Sequence, residues 1–164
     1  MESSRSGAAR VALRDVTQHD LPIFFRQQRD EAATRMAAFT SKNPADETAF
    51  NEKWRKILLD ESTQKKTIVH AGQVVGHIAS FELNGKPNVT YWIGREYWGR
   101  GFATDALLEF LRAFKELPLH ASAASDNLSS LRVLIKCGFS IVGRERAYAN
   151  ARGEEIEEVL LLLT

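Results

Sequence analysis

The chain of 164 residues holds a single cysteine, Cys137. One thiol excludes an internal disulfide and any zinc site built on a cysteine cluster. It suits a reducing cytoplasm, the expected location. An excess of either charge is also lacking, with 22 Lys and Arg against 21 Asp and Glu and a formal net charge of +1. With no basic excess to neutralise phosphates, nucleic acid is not expected as a partner. Long hydrophobic runs are missing: the longest, 159–163, falls far short of the roughly 20 apolar residues that cross a bilayer. No membrane association is expected. The opening "MESSRSGAARV" lacks the apolar segment of a signal peptide, and its residues 1–8, small and polar, are expected to be loose. None of the four histidines (His19, His70, His77, His120) pairs with another at ligand spacing on a helix or lies near the cysteine, so no metal is expected. No repeat, linker or low-complexity tract divides the chain. With 44% hydrophobic and 26% charged residues, it reads as one globular domain over 1–164.

What is present is a sequence of alternating and helical patterns. The stretch 9–17 alternates apolar and polar residues as a strand does. Asp20 before Pro22 opens a helix lined by Leu21, Phe24, Phe25 and Gln28. From Asp46, the residues Phe50, Trp54, Ile57 and Leu58 have helical spacing. In 65–83, two β-rich runs flank Gly72-Gln73, and a glycine first in a two-residue loop suits a type II′ hairpin. "NGKP" (84–87) is a further turn, and 88–94 a third strand. Ala103, Ala106, Leu107, Phe110, Leu111 and Phe114 form one apolar face of a helix. A strand at 117–125 follows. Next comes a helix from Asp126 or Asn127, with Leu128, Leu131, Leu134 and Ile135 as its stripe and Gly138 as its stop. Two last strands meet at "NARG". The expected fold class is α+β, with a mixed, mostly antiparallel sheet of about seven strands flanked by about four helices.

The segment "EYWGRGFATDAL" sets a glycine pair, Gly99 and Gly101, at the start of the third long helix. Helix N-termini expose unpaired N–H groups and partial positive charge, and glycines let an anion approach closely. Gly99, Arg100, Gly101, Phe102, Ala103 and Thr104 could therefore cradle phosphate oxygens. A tight turn with no ligand fits the spacing equally well. A P-loop would need Gly-Lys-Ser/Thr after four intervening residues, which is absent. A dinucleotide fingerprint would need Gly or Ala where Thr104 stands, and a parallel βαβ unit where a hairpin precedes the loop.

"YWIGREYWGRGFATDAL" resembles the acetyl-CoA motif of the GNAT superfamily of N-acetyltransferases, in the branch that includes the ribosomal-protein acetyltransferases RimJ and RimL. "DNLSSLRVLIKCGF" is similar to that branch's Asn-x-x-Ser helix ending in Lys-x-Gly-Phe. The resemblance covers about 9–163. It implies acetyl-CoA as co-substrate, with its pyrophosphate on the amides from Gly99 to Thr104. Its pantetheine would pair with the strand end at Ile93 and Gly94 and with Asn127. A free primary amine, of a protein N-terminus or a small molecule, would then attack the thioester directly. An N–H near Ile93 or Gly94 would polarise the carbonyl. Two residues depart from the wider superfamily. Trp98 stands where Gln or Arg often begins the loop, and Leu134 where a tyrosine often serves as acid. The second departure leaves room for a non-catalytic acyl-CoA binder of the same fold.

The amine must also lose a proton. Glu82, expected at the end of a central strand, is the candidate base, and Ser130 the candidate contact to the thiol. A solvated strand-end carboxylate and a helix back-bond are the plain alternatives for these two. Tyr91 and Trp92 read as core residues, and 152–158 as a charged, solvated turn. Homodimerisation through the last strands is left open.

Overall fold

The computed structural model describes residues 10–164; the segment 1–8, expected to be loose, lies outside them. Strand β1 (Ala12–Asp15) leads through one 3-10 turn to α1 (Leu21–Gln28), α2 (Glu31–Ala37) and α3 (Glu47–Leu59). The meander β2 (Lys65–His70), β3 (Gln73–Leu83) and β4 (Lys86–Ile93) follows. Then come α4 (Phe102–Ala113), β5 (Leu119–Ala124), α5 (Leu128–Lys136), β6 (Ser140–Ala149) and β7 (Glu154–Leu163). One sheet runs in the order β1-β2-β3-β4-β5-β7-β6. Every neighbouring pair is antiparallel except β4 and β5.

Alternation along the strands sorts side chains to two faces. On one, Val74 joins Phe24, Phe25, Phe50 and Trp54 of α1 and α3. On the other, Val75 and Ile78 of β3 and Val159 and Leu161 of β7 pack with Phe102, Leu107 and Phe110 of α4 and Leu134 of α5. The expected mixed α+β sheet of seven strands is present, with five helices rather than about four. The extra helix, α2, has only Met36 as a large apolar residue, so no stripe announced it. Asp30 starts it by accepting from the Ala33 N–H at 3.1 Å.

Three local expectations are corrected. The β2–β3 turn is Ala71-Gly72, with φ of 50° and 79°, not Gly72-Gln73. Two left-handed central residues make it the I′ type, whose twist matches the flanking strands. Gln73 instead opens β3 opposite His70. On α1 the buried amide is Gln27, while Gln28 reaches out to the Pro44 carbonyl. On α5, Leu128 and Ile135 are exposed and Leu134 carries the burial, with Leu131 and Val133 partly buried beside it.

Candidate active site

Strands β4 and β5 run side by side only at Asn88 and His120, and beyond that bridge they separate. The register of β3 on β4 decides what faces the gap. Leu83 and Lys86 flank the Asn84-Gly85 turn as its closing pair. Alternation then turns the backbone groups of Asn88, Thr90 and Trp92 toward β3, and those of Val89, Tyr91 and Ile93 toward β5. Past the bridge, Tyr91 and Ile93 therefore present N–H and C=O groups to an open gap. The Ile93 carbonyl accepts from the Trp98 indole Nε1 at 2.9 Å. The Gly94 N–H is committed to the Val75 carbonyl at 2.9 Å. Of the two residues expected to offer a polarising N–H, Ile93 is the one whose donor faces the gap.

The loop after β4 turns through a short 3-10 segment into α4. Gly99 and Gly101 have φ of 76° and 80°, a region costly for side-chain-bearing residues. Gly101 is the N-cap of α4 and offers no side chain, so the first-turn amides at Phe102, Ala103 and Thr104 keep their donors free. A Cβ on Gly101 would run into the Arg10 guanidinium. Arg10 binds Asp105 through Nε at 2.8 Å and lies over the Phe102 ring, 5.7 Å from its centroid. Arg100 lies over the same ring at 4.8 Å. Two guanidinium groups thus gather at the positive end of the α4 dipole, with Asp105 as the one carboxylate in the first turn.

The opposite wall is the start of α5. The Asn127 side chain accepts from the Ser130 N–H at 3.2 Å, capping the helix through its carbonyl oxygen. Its amide nitrogen has no hydrogen-bond partner among the described residues, and the residue lines both cavities that meet at the gap. The Ser130 hydroxyl and the Tyr91 phenol share a 2.8 Å hydrogen bond. Burial pushes the Tyr91 phenol up to about 12, only partly offset by that bond. It holds its proton at neutral pH and can donate a hydrogen bond there.

Two cavities meet at this gap. The smaller, about 410 Å³, runs along Gly99, Gly101, Phe102, Ala103 and Thr104 toward Ile93 and Trp98. The larger, about 800 Å³, opens on the α1–α3 side among Phe39, Trp54, His77 and Phe81. Ala37, Tyr91, Trp92, Asn127 and Ser130 line both. Burial, with the charge of Lys53 adding to it, pushes the His77 imidazole down to about 3. It packs, neutral, on Phe24 and Trp54 at 4.6 and 5.1 Å between ring centroids.

Of the residues singled out in the sequence, Ile93, Trp98, Gly99, Gly101, Phe102 and Ala103 border the smaller cavity, as do Thr104, Asn127 and Ser130. Arg100 stands exposed beside it, and Gly94 packs on the Gln27 side chain. Glu82 is apart from them. It pairs with Pro87 near the hairpin end, is exposed, and lines neither cavity. Leu134 reaches the larger cavity where the resemblance had a tyrosine. The phenol at the gap instead belongs to Tyr91, which the sequence had suggested for the core. Arg10 and Glu158 stand at the site with no motif to mark them. Among the described residues no cluster of three or more His, Cys, Asp or Glu could hold a metal, and no helix is long and apolar enough to cross a membrane.

The Acetyltransferase (GNAT) domain model matches residues 10–140. A Bacillus subtilis protein named "Putative ribosomal N-acetyltransferase YdaF" is 28% identical over 137 residues, covering 76% of this chain and 75% of its own. Among solved structures, Mycobacterium smegmatis RimJ in complex with CoA-disulfide superposes with a TM-score of 0.77 at 20% identity, over 94% of this chain and 81% of its own. Spermidine N-acetyltransferase from Vibrio cholerae, in complex with CoA and spermine, gives 0.76 at 18% identity, over 94% and 96%.

Proposed function

The chain belongs to the GNAT acetyltransferase family and is an N-acetyltransferase, and on that premise we propose that the smaller cavity takes acetyl-CoA and the larger a primary amine. The observation that carries this reading is the meeting of the two cavities at the splayed strands. A ligand arm and an acceptor entering from opposite sides would touch only there.

The residues fit the cofactor. The cradle that a Cβ at Gly101 would obstruct, the free first-turn amides of α4 and the two arginines suit a pyrophosphate. Arg10 supplies the side-chain charge that Trp98 cannot. The edge of β4 at Tyr91 and Ile93, where Trp98 already engages the Ile93 carbonyl, suits an amide-bearing arm that pairs as an added strand with the remaining groups, with the Asn127 amide nitrogen donating from the other wall. Bound there, acetyl-CoA supplies a thioester carbonyl open to attack by an amine. The Ile93 N–H polarises that carbonyl. The Tyr91–Ser130 hydroxyl pair donates a hydrogen bond where negative charge gathers on the departing sulfur. Tyr91, holding its proton to about 12, acts as a donor and not as a base. Complexes of two structural neighbours, RimJ with CoA-disulfide and the spermidine enzyme with CoA and spermine, support the co-substrate.

The test is thiol release from acetyl-CoA in the presence of N-terminal peptides, amino acids and polyamines. Release that depends on the amine and saturates with it is the expected result. Saturable acetyl-CoA binding without release for any amine would return the protein to the class of acyl-CoA binders.

A further inference from the structure

Resting on this acetyl-transfer reading, the strand register identifies a carboxylate at the reacting level that the sequence pattern hid. Counted on from the Asn88–His120 bridge, Trp92 on β4 is level with Ala124 on β5, and Ala124 pairs with Glu158 on β7. Glu158 therefore stands one strand beyond the gap, level with the end of β4 that presents the Ile93 N–H. Its neighbours Val159 and Leu161 sink into the core under α4 and α5, so Glu158 faces the other way, into the larger cavity. Among the described residues it is in no ion pair, whereas the adjacent Glu157 holds Arg144 at 3.5 Å. Glu82 pairs with Pro87, five residues before Trp92, which is roughly 17 Å away along the strand.

Among the described residues Glu158 is the one carboxylate on the wall of that cavity, and the other charged groups there are Lys53 and Lys56 of α3. Neither lysine is in an ion pair among the described residues, and the charge of Lys53 reaches far enough in to act on His77. A polyamine would meet more repulsion than attraction in such a chamber. An amine that also carries an acid would find a partner for each end.

We infer that Glu158 receives the acceptor's ammonium group and takes its proton, and that Lys53 and Lys56 hold an anionic group on the same small molecule. Glu158 lies on β7 and the two lysines on α3, which packs over β3, three strands away in the sheet, so the two charges stand apart across the chamber. An acid carried on a side chain, as in glutamate, suits that separation. In the step itself, the ammonium gives one proton to Glu158 and thence to water. The free nitrogen then attacks the acetyl carbonyl, and the C–N bond forms as the C–S bond breaks. The second proton of the nitrogen passes to the thiolate, giving amide and free thiol.

The test compares glutamate with its neutral isostere glutamine and with spermidine, as acceptors in thiol release and as ligands of the protein saturated with coenzyme A, where no chemistry can occur. Expected are a preference for glutamate over glutamine of about tenfold or more in both readouts, spermidine weakest, and loss of the preference in a Lys53→Glu/Lys56→Glu variant. Glu158→Gln should lower kcat for glutamate at least about tenfold with acetyl-CoA affinity kept, and Glu158→Asp should restore part of it. Equal use of glutamine, a preference for spermidine, or full kcat in Glu158→Gln would overturn the inference while leaving acetyl transfer intact. Acetyl-CoA binding without turnover of any amine would remove the reading beneath it.

Discussion

Asn127 offers a clean separation of folding from binding. Its carbonyl oxygen caps α5 by accepting from the Ser130 N–H, while its amide nitrogen has no partner among the described residues and the residue lines the gap. The two roles reside on different atoms. Asn127→Ser keeps an acceptor at the N-cap and deletes the amide donor; Asn127→Ala deletes both. Losing an N-cap costs about 1 kcal/mol, which for a chain of this size lowers Tm by roughly 2–4 °C. Losing the donor to a buried pantetheine carbonyl would cost roughly 1–3 kcal/mol of binding, or about 5- to 150-fold in Kd. The serine variant should thus melt within about a degree of wild type and bind acetyl-CoA markedly less tightly. The alanine variant should show both losses. Denaturant unfolding of the free protein and calorimetric titration with acetyl-CoA read the two effects separately. A serine variant that binds as tightly as wild type would leave Asn127 as a cap alone and refute the pairing at the gap.

Arg10→Ala removes a half-exposed guanidinium and a surface ion pair, so stability should change by less than about 1 kcal/mol. Acetyl-CoA binding should weaken about fivefold at low salt and less at high salt; unchanged affinity at low salt would detach Arg10 from the phosphates. Burial pushes the Cys137 thiol up to about 11, so a thiol reagent at pH 8 should label the native protein far more slowly than the unfolded one, and fast native labelling would contradict the packing of α5. His77 is held near 3 by burial and by Lys53, while an unfolded histidine takes a proton below about 6.5. Its share of stability is therefore present above pH 6.5 and lost on acidification toward 3, at up to about 1.4 kcal/mol per pH unit. Burial works against the charge of Asp20, but its bonds to Arg14, the Thr17 N–H and Thr67 outweigh this and hold it near 2, so its loss begins only below about pH 4. A denaturant midpoint that stays flat from pH 6.5 to 4, or that falls as steeply in His77→Phe, would refute this assignment.

The Gly99–Gly101 loop and the α5 cap were legible because each rests on local chemistry. Gly99 and Gly101 take left-handed conformations, α4 keeps a helical apolar period, and Asn127 stands where a cap belongs. Helix α2 was not legible, because the alanines of 31–37 leave no stripe for a period to reveal. The β2–β3 turn misled because Gly72 is its second central residue, and Ala71 is forced left-handed before it. The carboxylate proposed as base was hardest to find. Glu82 drew notice by its nearness in sequence to β4, but an antiparallel hairpin carries that end of β3 away from the gap. Glu158 and Arg10 reach the site only through long-range pairings, Glu158 with Ala124 and Arg10 with Asp105, and no local pattern encodes such register. The acidic run around Glu158 looked like a solvated face because its neighbours are one: Glu154 and Glu155 are exposed, and Glu157 answers Arg144.

The central claim is that the Gly99–Gly101 loop holds the phosphates of acetyl-CoA. Calorimetric titration of wild type and Gly101→Glu with acetyl-CoA, NAD and ATP tests it most directly. A carboxylate at residue 101 would enter the anion cradle and displace Arg10. Saturable binding of acetyl-CoA alone, abolished in the variant while its fold is retained, is the predicted result. Equal affinity in the variant, or binding of NAD in place of acetyl-CoA, would contradict the assignment.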